Sequence, residues 1–528
     1  MKSTYKKMMK RAAVGILAVC CTVGFGGCNQ TNETKDSVAT EDKPYLISKE
    51  PLELSLFYLN YGYTFDEDNE VFQKAKEMTN ISLKSVVSQS SSDAAQALNL
   101  MISSKNIADI VQYVESEPFI EYGNAGAFED LNPLIDQYAP NIKKFFEEHP
   151  DIKKSAMSSD GKLYFIPMIA DGKAAGGWFI RQDWLDKLGL QTPKNAEEFY
   201  AVMKAFKEQD PNGNGQADEI PYFSRTSEGN DGIWSMLILF NAYKDFYLDN
   251  GEIKYGPIQP EYKEAYKQIA RWYQEGLIDP EIFTRGNNAR DVLLENNLGG
   301  ITHDWFASTA EYNNRLPETI EGFAFVPMTP PAGPDGVIRE TETRQPLSGG
   351  GWGMSTTNKH KEETMKFFDF WFTEEGRRMA NFGIEGKSYN MVDGKPVFTD
   401  FVLHNPELSP YSALSELGAQ MYFGYWADFW YEEQWTNEIA LKGIDEYVNN
   451  NYYTEQIPQF MIPDDIADTM QELSTQIETY NRETTQKWML SGLDVEASWD
   501  DYIANMEKLG VEEYVKLMNQ AYKDYLNR

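Results

Sequence analysis

The chain has 528 residues, and its 82 Asp and Glu against 48 Lys and Arg give a formal charge of −34. Such a surface repels phosphate backbones and excludes nucleic acid as a natural partner. Aromatic residues at 14% exclude a wholly disordered acidic chain, and a mean hydropathy of −0.54 without a second long apolar run excludes a membrane bundle. At roughly 150 residues per domain the length accommodates two to four domains.

The amino-terminal segment carries Lys2, Lys6, Lys7, Lys10 and Arg11 and no acid, then runs uncharged from 12 to 27 and meets Cys28. A basic stretch, a short apolar stretch and small residues form an export signal; sixteen residues fall short of the ~20 a membrane span requires. Gly26-Gly27-Cys28 resembles a bacterial lipobox, departing from it at Phe25, where Leu is usual. Residues 1–27 are therefore expected to be a lipoprotein signal peptide, with Cys28 as the lipidated residue. Cys20 and Cys21 leave with the signal, so the mature chain holds no free thiol and the formal charge moves from −34 to −39. Thiolate zinc sites and cysteine nucleophiles are excluded together. The histidines His149, His303, His360 and His404 are scattered without metal-ligand spacing.

The polar stretch 28–50 lacks the apolar content to fold and reads as a flexible tether. From residue 52, strands are predicted at 52–58, 81–87 and 107–113, separated by helices at 69–79 and from Asp93 to 102. Alternation of this kind indicates parallel βαβ units, which bind ligands beyond the carboxyl ends of their strands. Further strands are expected at 163–167, 178–181, 299–303, 323–326 and 349–355. Helices are expected at 183–187, at 196–209 behind the cap Asn195, and at 262–274, 361–372, 466–483 and 511–526. The segment 329–346 is rich in proline and reads as a crossover.

The sharpest motif is Asp210-Pro211-Asn212-Gly213-Asn214-Gly215-Gln216-Ala217-Asp218-Glu219. Oxygen side chains at positions 1, 3, 5 and 9, with Gly at 6, form the first part of an EF-hand loop. The twelfth position is Pro221 rather than Glu, and Glu219 is the replacement. One structural Ca²⁺ is expected, held by Asp210, Asn212, Asn214, Asp218 and Glu219 and the carbonyl of Gln216. A plain Asn/Gly turn that binds nothing is the competing reading.

Gly177 to Leu190, with Thr192-Pro193 and Glu197-Glu198-Phe199, begins an ordered series of matches. It continues through Ala108-Asp109-Ile110, Gly383-Ile384-Glu385-Gly386, Asp393-Gly394-Lys395-Pro396-Val397 and Trp499-Asp500-Asp501-Tyr502. With the lipobox, the series resembles the family 1 extracellular solute-binding proteins of ABC importers, in particular LipO-like lipoproteins and the larger oligosaccharide- and alginate-binding members. The resemblance implies an α/β, two-lobed periplasmic-binding-protein-like fold with a ligand cleft between the lobes and a helix-rich C-terminal region. It implies hinge closure on an oligosaccharide and delivery to a membrane permease by a monomer anchored on the outer face of the cytoplasmic membrane. The lobes are expected as 51–168, with 300–345 returning to it; 169–299; and 346–528 as the remainder of the second lobe with the C-terminal helices.

Sugar recognition needs flat aromatic faces beside hydrogen-bonding groups. The candidates at strand ends are Trp305, Trp352, Tyr58 and Tyr61, with Trp426 from the cluster near 425–430 and the carboxylates Asp109 and Asp304. Each ring also suits core packing, and each carboxylate also suits a helix cap. Trp184 is assigned to packing. The expected function is capture without chemistry; a non-sugar solute such as a peptide on the same scaffold, or a surface glycoside hydrolase, are the alternatives.

Overall fold

The computed structural model describes residues 43–60, 63–88, 91–225 and 232–528. Its framework is nine strands: β1 (Leu52–Phe57), β2 (Ile81–Ser85), β3 (Ile110–Tyr113), β4 (Phe165–Ile169), β5 (Gly176–Arg181), β6 (Ile220–Tyr222), β7 (Gly299–Trp305), β8 (Phe325–Pro327) and β9 (Leu347–Met354). They form two sheets, one ordered β2-β1-β3-β9-β4 and one ordered β8-β5-β7-β6. The molecule is accordingly an α/β protein of two lobes.

In the first sheet β1 runs parallel to β2 and β3, with Leu54 opposite Leu83 and Leu56 opposite Ile110. The helices Glu70–Thr79 and Ala94–Ser104 make the crossovers, the second capped by Asp93, whose carboxylate accepts the Gln96 N–H. Strand β9 is antiparallel to both neighbours, pairing Gly351 with Tyr113 and Trp352 with Ile166. Its glycines have a steric cause: a methyl group on Gly350 or Gly351 would collide with the carbonyl oxygens of Tyr113 and Ile166.

In the second sheet β7 is antiparallel to β5 and parallel to β6, and β8 pairs with the outer edge of β5. This corrects the expected lobe boundaries. The segment 300–345 does not return to the first lobe; β7 and β8 complete the second sheet, and the return is made by β9. The remainder also divides. Buried residues between 347 and 427 join the core of the first lobe, whereas Ala440, Ile444 and Tyr447 and the helices beyond pack on the second. The strand pairing decides the matter, because β7 is in register with β5 over five residues, from Ile301 opposite Ile180 to Trp305 opposite Gly176.

The chain therefore crosses between lobes three times, at 170–175, 328–346 and about 428–436. Two crossings touch. Gly172, at φ +84°, lies against Phe429, whose ring would be 3.0 Å from an added methyl. Gln459 braces the point where β9 begins: its amide oxygen accepts the Leu347 N–H at 2.9 Å and its amide nitrogen donates to the Leu347 carbonyl at 3.1 Å. The helices Asp464–Leu490, Val495–Lys508 and Val511–Asn527 build the C-terminal part of the second lobe around Trp488, Trp499 and Tyr502. The last of them also reaches the first lobe, where Lys154 Nζ sits 4.5 Å from the Tyr525 ring centre. Among the described residues no helix is long and apolar enough to cross a membrane.

Candidate functional site

The crossings fix which sheet edges face each other. Gly176 is the first residue of β5 after the first crossing, and it pairs with Trp305 at the carboxyl end of β7. In the other lobe β9 enters at Leu347 beside Ile169, so the carboxyl ends of β1 and β3 lie at the inter-lobe edge. Trp305 is 46% exposed there, an aromatic face that the sheet cannot cover.

Its neighbour Asp304 is buried and committed elsewhere. Arg225 Nε donates to its carboxylate at 2.7 Å, and Arg290 lies at 3.4 Å. This corrects the expectation that Asp304 contacts ligand; it anchors the strand end that presents Trp305. One residue earlier, His303 lies buried with Nε2 2.9 Å from Glu340 and Nδ1 3.3 Å from Glu342. Burial alone would lower the imidazole's pKa, but the carboxylates of Glu340 and Glu342 outweigh it and raise the value to about 9. The ring is thus an imidazolium joining β7 to the crossing 328–346.

Two cavities open along this edge. The larger, about 710 Å³, lies on the second lobe and is lined by His303 and Glu342 together with Trp234, Tyr243, Lys244 and Tyr247. Tyr243 and Tyr247 stack at 4.0 Å, and the Lys244 ammonium lies 4.1 Å from the Trp234 ring centre. Burial, with Asp249 and Glu261, pushes the Tyr247 phenol up to about 12, so it remains a hydrogen-bond donor. The smaller cavity, about 510 Å³, lies on the first lobe beyond the end of β1, with Tyr58, Asn60, Tyr63, Tyr411 and Tyr422 in its walls. Tyr58 is buried, and that burial pushes its phenol up to about 12. Asn60 Oδ1 and Ser415 Oγ are buried in this wall without a hydrogen-bond partner, which marks them for a ligand hydroxyl or a water.

The remaining expected residues divide. Trp352 is 1% exposed and stacks on Phe368 at 4.8 Å, in a cluster with Trp371 and Phe423. It is core, because β9 is an interior strand whose Trp352 side is covered by the helix Lys361–Phe370. Asp109 stands at the amino end of β3, away from the cleft, and its carboxylate accepts the Ser55 N–H at 2.9 Å and the Ser55 hydroxyl at 2.6 Å. It ties β3 to β1 instead of touching ligand. Trp426 is sandwiched between Phe145 and Arg377 and lines neither cavity. Tyr61 and Cys28 lie outside the described residues. Sequence reasoning missed Trp234, Tyr243 and Tyr247. The available signal was the aromatic and charged run 243–247 in a stretch without helical or strand periodicity.

The loop 210–219 is built as a turn of inward oxygens. Asp210, at φ +48°, accepts the N–H groups of Gly213, Asn214 and Gly215 at 2.9 to 3.0 Å, and Asn212 and Asn214 donate to Asp218. Glu219 is fully buried, its Oε2 has no hydrogen-bond partner, and burial followed by the charges of Asp210 and Asp218 raises its pKa. Among the described residues no three His, Cys, Asp or Glu side chains converge as a metal group. The orphaned Glu219 oxygen and the amide oxygens of Asn212 and Asn214 nevertheless fit a hard cation. The loop leads into Ile220, which pairs with Gly299 at the amino end of β7. It thus lies about 20 Å of strand rise from Trp305.

A family model described as bacterial extracellular solute-binding protein matches residues 61–378. The crystal structure of the alginate-binding protein AlgQ2 without calcium ion is similar at 38% identity and a TM-score of 0.77, covering 91% of this chain and 100% of that one. The fructooligosaccharide ABC transporter substrate-binding protein FusA of Streptococcus pneumoniae is 26% identical over 82% of this chain and 83% of its own length. The lipoprotein LipO of Bacillus subtilis is 26% identical over 78% and 80%.

Proposed function

The chain belongs to the bacterial extracellular solute-binding proteins, and from that premise we propose that it captures an oligosaccharide between its lobes and delivers it to an ABC importer. The observation that carries this reading is an exposed Trp305 at the inter-lobe edge, two residues along β7 from the His303 that lines one of two cavities walled by tyrosines and polar side chains. A ring covers the C–H face of a sugar, while amides, hydroxyls and carboxylates take its hydroxyl groups. The names of the relatives support a saccharide over a peptide. Closure turns on the three crossings and excludes water from the bound face; no bond is made or broken. Residues 1–27 serve as signal and Cys28 as lipid anchor, in keeping with the lipoprotein relative.

A structural Ca²⁺ belongs to the same reading. Asp210, Asn212, Asn214, Asp218 and Glu219, with the Gln216 carbonyl, would hold it, and its charge would offset the carboxylates of the loop. Calorimetry with purified protein against a panel of oligosaccharides tests the function. Saturable binding to at least one, without product accumulating over hours, is the expected result. Turnover at catalytic protein concentration, or silence with every sugar, would overturn it.

A further inference from the structure

The two cavities are walled by acids. The second-lobe cavity carries Asp245, Asp249, Glu261, Glu342 and Glu455 against Lys244, Arg339 and His303, and the first-lobe cavity carries Asp66 and Glu416 and no cation. Two of the three cations are held in ion pairs. Arg339 donates twice to Asp335, at 2.9 and 2.7 Å, and this pairing holds the Asp335 carboxyl well below the usual range. His303 lies between Glu340 and Glu342. Lys244 faces the Trp234 ring; burial raises the pKa of Asp245 and of Glu342, with the charge of Lys244 opposing that rise at both and the charge of His303 opposing it at Glu342. Asp249 is paired with Lys254 and Glu342 with His303, and Asp245, Glu261 and Glu455 remain as the surplus of carboxylates in this wall.

Ionised carboxylates only accept hydrogen bonds, so they match the O–H donors of a neutral sugar. A uronate brings an acceptor-only anion, and its carboxylates would meet more acids than cations in these walls, with Lys244, seated on the Trp234 ring, the one lining cation outside an ion pair among the described residues. The formal charge of −34 adds repulsion at longer range. Lys173, exposed on the first crossing, is outside the lining of both cavities.

We infer that the inter-lobe site takes neutral, hydroxyl-rich oligosaccharides and turns away oligouronates. This rests on the oligosaccharide reading above. It assigns a substrate class different from the one in the name of the alginate-binding neighbour.

The test is calorimetry at low and high salt with two panels of matched length. The neutral panel holds fructo-, xylo-, cello- and malto-oligosaccharides; the acidic panel holds oligogalacturonate and oligoalginate. The expected result is a neutral ligand bound at least roughly tenfold more tightly than any uronate at low salt, with the gap narrowing as salt rises. The double variant Asp245→Asn, Glu342→Gln should strengthen uronate binding. If that variant does not fold, the salt dependence of the natural protein decides. A uronate bound more tightly than every neutral sugar overturns the selectivity and leaves the oligosaccharide reading standing. Silence with both panels overturns that reading, and the selectivity with it.

Discussion

Trp305 and Trp352 separate two uses of one side chain. Trp305→Ala should weaken sugar binding by about 1–3 kcal/mol, the range measured for stacked rings, with little change in melting temperature. Trp352→Ala should remove about 3–5 kcal/mol of stability, since it empties a packed site between Phe368 and Phe423, and should leave the affinity of the surviving folded protein unchanged. Thermal unfolding and calorimetry on both variants check the pair; a stable Trp352→Ala protein that no longer binds would reverse the assignment. His303 predicts a pH dependence. Its folded-state pKa of about 9 exceeds the ordinary 6.5. The stability it contributes is therefore fully present below pH 6.5 and is lost as pH rises through 9. Denaturant unfolding should show this decline, and His303→Gln should flatten it.

At the scale of elements, the loop 210–219 carries its own test. Chelation should lower the melting temperature of the natural protein. Asp210→Ala should abolish that response, because a site filled at 100 times its dissociation constant adds about 2.7 kcal/mol. Sugar affinity should stay the same, since the loop meets β7 at Gly299 and the cleft meets it at Trp305. A melting temperature indifferent to calcium and chelator would remove the metal from the account. The turn of this loop was legible in the sequence because its hydrogen bonds are local, Asp210 accepting the N–H groups of Gly213, Asn214 and Gly215. The helix caps Asp93 and Asn195 were legible for the same reason, each bonding a backbone N–H three residues on. Strand pairing was not legible. Whether β7 joins β5 or the first sheet depends on contacts more than a hundred residues apart, and proline in 328–346 signals a crossing without its destination. Trp352 was misread for the same cause, since a Gly-rich strand looks open until β3 and β4 close on both its sides.

For the whole molecule, the decisive feature is that three separate chain crossings connect two cores. The contact of Gly172 with Phe429 couples two of them, and Gly172→Ala would add a methyl at positive φ, at a cost of about 1–2 kcal/mol. The substitution touches no cavity wall. It should therefore shift the dissociation constants of all sugars by one common factor, up to roughly tenfold, without changing their rank. A variant that reordered the sugars would show that the crossings belong to the binding surface. If the lobes close as proposed, the same three-stranded connection would give closure the character of a threshold. Each ligand would have to supply the same bending work before the lobes meet, and the closed outer contour would then be the same whichever sugar lay inside. A membrane partner reading only this contour would receive a binary message. From a mixture, sugars would then be passed on in proportion to occupancy alone, and selectivity for the whole uptake route would reside in this one protein.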